Sequence, residues 1–170
     1  MAKTKDNKKP EKKPDFFEKY GEVGSAMELN LAIEGFLEEN DTTSMKEFAA
    51  ENGFTEKDVD RWVKKREQDP EAKFCNDLTA ALAKLSMEGK ADDSLAKIAD
   101  FMGEKCEENK DLARAVRKKG KRLKAAYRKM YDLAREQVMS SRGSNKEASY
   151  MVSDDEGYVI RRDYYLEVAK

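Results

Sequence analysis

Histidine does not occur in this sequence, and cysteine occurs only twice, at Cys75 and Cys106. Without histidine the commonest general base near neutral pH is missing. With no imidazole and two thiols, the usual zinc-ligand patterns are missing too, so no metal and no other cofactor is expected. The two cysteines lie far apart in the chain, which argues against a disulfide framework. Long apolar runs are also lacking. Nothing approaches the roughly 18 apolar residues that cross a bilayer, and the lysine-rich start carries no apolar stretch of a secretion signal. These absences point to a cytoplasmic protein with no membrane partner. A Gly-x-x-x-x-Gly-Lys phosphate loop is absent as well. The acidic pairs Glu38-Glu39 and Asp92-Asp93 sit at expected helix ends, where they act as caps and solvated charges, so a non-enzymatic protein is expected.

What the sequence does hold is charge. Of 170 residues 41% are charged, and the mean hydropathy is -0.93. A thick core is therefore excluded, whereas amphipathic helices need only one apolar stripe each. The net charge of -1 conceals a division. Residues 1 to 14 hold six lysines and two acids; residues 15 to 109 hold 12 basic and 24 acidic side chains; residues 110 to 135 hold 11 basic and 2 acidic ones. Asymmetry of this kind marks contact with a polyanion or with another copy of the chain.

The expected organisation is mainly α: an N-terminal helix-turn-helix bundle, a long basic amphipathic helix and a short C-terminal β-hairpin. Residues 1–20 read as a flexible basic arm, because they have too little apolar surface to offset the entropy of ordering. Residues 21–103 read as a helical domain. Its first helix is capped by Ser25 with Glu28, a second by Ser44 with Glu47, and a third by Thr55 with Asp58, all at capping-box spacing. Asp69-Pro70 is expected to open the next helix, Gly89 to end it, and a short helix from Asp93 to end at Gly103. Within 104–140 the apolar positions Leu112, Val116, Leu123, Tyr127, Met130 and Ala134 recur at near-heptad spacing, the pattern of one long coiled-coil-like helix for oligomerisation. In 141–170, two β-prone runs flank Asp154-Asp155-Glu156-Gly157 and predict a hairpin, which would pair with strands of sister subunits.

The segment 44–66 meets the demands of a DNA-reading helix-turn-helix: a small residue where two helices cross, a glycine at the turn, and apolar anchors on the second helix. Ala49, Gly53, Val59 and Trp62 fill those places. Thr55, Lys57, Arg61, Lys64 and Lys65 then fall on the outward face as candidate contacts with double-stranded DNA, although Glu56, Asp58 and Asp60 would oppose phosphate. Arg117, Lys118, Lys121 and Arg122 of the basic helix form a second candidate group, with DNA or the acidic 15 to 109 region as the balancing partner.

The run AAENGFTEKDVDRWVKKREQDPEAKF, Ala49 to Phe74, resembles the helix-turn-helix segment of bacteriophage terminase small subunits. Gly53, Arg61, Trp62, Lys64, Lys65 and Asp69-Pro70-Glu71 carry the likeness, while the recognition helix here is more acidic than is usual for that family. The resemblance implies a homo-oligomeric adaptor that recognises viral DNA for packaging in a host cytoplasm and hands it to a terminase large subunit. A helix-turn-helix transcriptional regulator and a helical scaffold that does not bind DNA remain alternatives.

Overall fold

A computed structural model describes residues 16–141 and 152–168. Among these residues there are eight helices and no strand: α1 Ala26–Glu38, α2 Thr42–Glu51, α3 Glu56–Gln68, α4 Asp77–Gly89, α5 Asp93–Glu108, α6 Lys110–Arg117, α7 Leu123–Ser141 and α8 Asp154–Leu166.

The first three helices enclose one apolar cluster. Leu29 and Ile33 of α1, Met45, Phe48 and Ala49 of α2, and Val59 and Trp62 of α3 form its centre. Ser25 caps α1 by accepting from the Glu28 amide, and Thr55 with Asp58 forms a complete capping box on α3. Between α2 and α3 Gly53 has a φ of +92°, and a Cβ there would stand 2.3 Å from the Ala83 carbonyl oxygen. Only glycine fits both the dihedral and the approach to α4. The loop after α3 is drawn back by Asn30: its amide donates to the Cys75 carbonyl at 2.9 Å, and its oxygen accepts from the Phe74 and Cys75 amides at 2.7 and 3.1 Å.

Helices α4 to α8 enclose a second cluster, centred on Leu85, Met102, Leu112, Val116, Leu123 and Tyr165. The two clusters meet along α4, which gives Ala80 to the first and Ala81 to the second. A buried polar junction runs beside them. The Lys84 ammonium donates to Glu22 at 2.9 Å and to the Lys118 carbonyl at 3.0 Å. Glu22 also accepts from Arg122 at 2.6 Å and from the Gly120 amide at 2.8 Å. Glu88 accepts from the Leu123 amide and so caps α7.

That junction explains the first correction to the sequence reading. The expected long helix is broken at 118–122, where Gly120 has a φ of +76°. Glu22, Glu88 and Lys84 take backbone groups that an unbroken helix would pair internally, and Leu112, Val116 and Leu123 of the expected oligomerisation seam are spent on the chain's own core.

The second correction concerns the C-terminal β-hairpin, which is not formed. Its proposed turn and second strand are helix α8; Ser149 to Met151 of its first strand lie outside the described residues. Ser153 and Glu156 make a full capping box, and Asp154, Asp155 and Glu156 in the first turn complement the helix dipole. Local capping thus overrides the β-prone composition of the residues that follow.

Smaller differences have similar causes. Helix α2 is capped by Asp41, not Ser44, because the Glu47 carboxylate is engaged by Lys19 and Tyr20. Asp69 ends α3 instead of starting a helix, and α4 is capped by Asn76 with Thr79. Helix α5 runs through Gly103, whose missing Cβ makes room for Leu82. Of the expected flexible arm, residues 1–15 lie outside the described residues, while Phe17 is buried and Tyr20 packs edge-on against Phe36 and Phe48.

Burial pushes the Glu22 carboxyl up, but hydrogen bonds from Arg122, the Gly120 amide and Lys84 outweigh it and bring the pKa from 4.5 down to about 2. A depressed carboxylate stabilises the fold above its unfolded pKa and loses that contribution as the pH falls through its folded value. Urea denaturation of Glu22→Gln should therefore show a loss of about 3 kcal/mol at pH 7, shrinking between about pH 4.5 and pH 2. A pH-independent difference would show that the charge is not what matters.

Candidate nucleic-acid interface

Helix α3 has one apolar face and one cationic face. Val59 and Trp62 point into the first cluster, and the Trp62 indole donates to the Ala72 carbonyl at 2.9 Å. This fixes the rotation of the helix. Lys57, Arg61, Lys64 and Lys65 consequently lie exposed on its outer side.

The carboxylates of the same helix are partly neutralised from within the unit. Lys46 of α2 stands 3.0 Å from Asp60 and 3.7 Å from Glu56. Asp58 is occupied by the Thr55 amide and hydroxyl at 2.8 and 2.7 Å. Those bonds hold its carboxyl below the usual range despite partial burial. Arg61 reaches Asp58 only at 3.4 Å, with its side chain 77% exposed. Among the described residues no carboxylate lies within ion-pair distance of Lys57, Lys64 or Lys65. Arg66 is spent internally, on Glu34 at 3.3 Å and the Ala72 carbonyl at 3.2 Å.

The structure thus brings together Lys57, Arg61, Lys64 and Lys65. Thr55 adjoins them, but its hydroxyl is committed to the capping box and is not free to read a base. The second group is dispersed. Arg117 is 1% exposed and donates to the Val23, Asn52 and Ala80 carbonyls at 3.1, 3.2 and 3.4 Å and to the Asn52 side chain. Burial pulls its pKa down to about 10, which still leaves it charged at neutral pH. It cannot touch a phosphate. Lys121 donates to the Tyr164 carbonyl at 2.8 Å and pairs with Glu167 at 3.2 Å. Arg122 pairs with Glu22 and lies over the Phe17 ring at 4.9 Å. Lys118 is half exposed and 3.7 Å from Glu167. Sequence places these four residues in one candidate group because spacing cannot distinguish a cation that meets solvent from one that meets a buried acceptor.

No protein-family model, curated protein or solved structure matches the chain.

These placements separate two kinds of arginine and lysine by stability. Arg117→Ala removes four hydrogen bonds and leaves the buried Asn52 carbonyl and side-chain oxygen without that donor, and should cost about 3 kcal/mol or more in urea denaturation. Lys64→Ala should change stability by less than about 0.5 kcal/mol. Comparable costs for both would contradict the division.

Proposed function

We propose that this protein binds double-stranded DNA by laying the outer face of α3 against the duplex. The observation that carries the reading is the fixed rotation of α3: with Val59 and Trp62 buried, four cations of one helix face solvent beside the α2–α3 turn. A helix-turn-helix presents its second helix to the major groove in this manner. Lys46 shields the acidic N-terminal half of that helix, so phosphate meets less repulsion than the sequence alone suggests.

Four cations make a weak contact, and repeated copies on one duplex would strengthen it through effective concentration. Exposed apolar side chains that such copies could cover stand both on α1, with Met27 and Leu31 70% and 62% exposed, and on α7 and α8, with Tyr131 and Val159 60% and 41% exposed. The packaging-adaptor role implied by the terminase-like run Ala49 to Phe74 fits a many-copy assembly of this kind, with a large subunit supplying the motor. A second reading, a helical interaction module, draws on Glu56, Asp58, Asp60 and Glu67 in the same helix.

Fluorescence anisotropy with a DNA duplex separates the two. Wild type should show log K falling against log salt with a slope of about -3 to -4, near -0.9 for each phosphate neutralised. Lys57→Glu combined with Arg61→Glu should weaken binding more than about tenfold and reduce the slope by about 2. Equal binding by wild type and variant would select the interaction module. Native mass spectrometry tests the assembly: a ring of many copies is expected, a dimer would favour a transcriptional regulator, and a monomer at micromolar concentration would remove the packaging role.

A further inference from the structure

Away from α3, a cavity of about 340 Å³ opens between α5, α7 and the start of α8. Ile98, Phe101 and Met130 are apolar members of its lining, and Arg161 is a polar one together with Lys97, Ser153 and Asp154. Arg161 is 7% exposed and lies over the Phe101 ring, its guanidinium carbon 5.8 Å from the ring centre, yet its hydrogen-bond partners are poor: Nη1 lies 3.2 Å from the Met130 sulfur, a weak acceptor, and Nε has none. No carboxylate among the described residues forms an ion pair with it. Burial lowers its basicity, and Asp154 and Tyr165 act only at a distance in the opposite sense.

The fold makes room for this cation. Gly157 lies inside α8, where glycine costs about 1 kcal/mol relative to alanine. A Cβ at that position would stand 3.1 Å from Arg161 Nη1, 3.1 Å from the Met130 sulfur and 3.6 Å from Arg161 Nη2. The guanidinium therefore lies back along α8 over the glycine, toward the N-terminus of the helix and the cavity. Burying an unpaired charge is costly, and a similar-sized apolar side chain would pack the same space without that cost. A carboxylate that accepts two parallel N–H bonds from the planar fork would remove the deficit.

We infer that this cavity is a binding site for a small organic monocarboxylate, held by Arg161 through its carboxylate and by Ile98, Phe101 and Met130 through its apolar body. The volume is at the small end of the range for ligand pockets and suits a body of about one ring. The charge around the mouth restricts the anion. Lys97 lines it and attracts, whereas Asp154 also lines it and has exposed Asp155 and Glu156 as neighbours. A singly charged carboxylate meets less of that repulsion than a doubly charged phosphate. The site is independent of the DNA-binding reading, because α3 lines none of it.

Isothermal titration of the full chain with phenylacetate, hexanoate and phenyl phosphate at constant ionic strength tests the assignment. At least one of the two carboxylates should bind with a stoichiometry of one, and phenyl phosphate should bind at least tenfold more weakly. Arg161→Met should weaken carboxylate binding tenfold or more while leaving the thermal midpoint unchanged or raised. Arg161→Lys keeps the charge but loses the fork, and should also weaken binding tenfold or more; it serves if the methionine variant does not fold. Absence of binding by both carboxylates, tighter binding of phenyl phosphate, or unchanged affinity in the variants would overturn the inference.

Discussion

The buried guanidinium of Arg117 is the contact on which the arrangement of the two apolar clusters rests. It comes from α6, in the second cluster, and bonds to the chain ahead of α1, to the α2–α3 turn and to α4. Desolvating an arginine costs several kcal/mol, and the cost is met only where several acceptors with good geometry surround it. Asn52, with no exposure, supplies two of the four, so the turn that positions α3 is held by the same group that closes the fold. Gly53 beside it permits the turn to press against α4. The direction in which α3 presents its cations is therefore a property of the whole molecule, not of the α2–α3 pair alone.

Charge imbalance along the sequence has the same origin. The acidic region before residue 110 and the basic region after it meet in the folded chain: Glu22 with Arg122, Asp77 with Arg114, and Glu88 with the start of α7. Glu88 shows the strain of this solution. It has one oxygen on the Leu123 amide and the other without a hydrogen-bond partner, and burial raises its pKa. Lys84 is pushed the other way, its basicity lowered by burial although Glu22 opposes that. Part of the positive charge that called for an outside partner is thus met inside, through Arg117, Lys121 and Arg122, whereas Lys119, Lys124, Arg128 and Lys129, like Lys57, Lys64 and Lys65 of α3, stay exposed with no ion pair among the described residues.

Local signals were legible in the sequence where one short segment contains both halves of the interaction. Ser25 with Glu28, Thr55 with Asp58, the turn at Gly53 and the inward pair Val59 and Trp62 are all of that kind. The same capping signature lay in Ser153 and Glu156, but Gly157 and the β-prone Tyr158-Val159-Ile160 drew the reading toward a hairpin. Spacing exposes the error, since Tyr158, Arg161 and Tyr165 fall three, four and seven apart and line one side of α8. Asp69-Pro70 misled for a different reason. It has the form of a helix start, yet the chain there is needed to bring Phe74 and Cys75 back to Asn30, 44 and 45 residues earlier. The polar junction left no signal at all, because Glu22, Lys84 and Gly120 meet across sequence separations of 62 and 98 residues.

Arg117 and Arg161 are both buried arginines, and comparing them shows why burial alone does not define a role. Arg117 finds carbonyl and amide oxygens on three sides, so its charge is matched by fixed dipoles and its position is structural. Arg161 finds a thioether sulfur, the Phe101 ring with its centre 5.8 Å away, and open volume. A fold selected only for stability would fill that space with a methionine or leucine and would place alanine at Gly157. Retaining the cation and the glycine together makes sense when the missing acceptors arrive with a ligand. The first arginine completes its own coordination from the chain, and the second leaves it to be completed from outside.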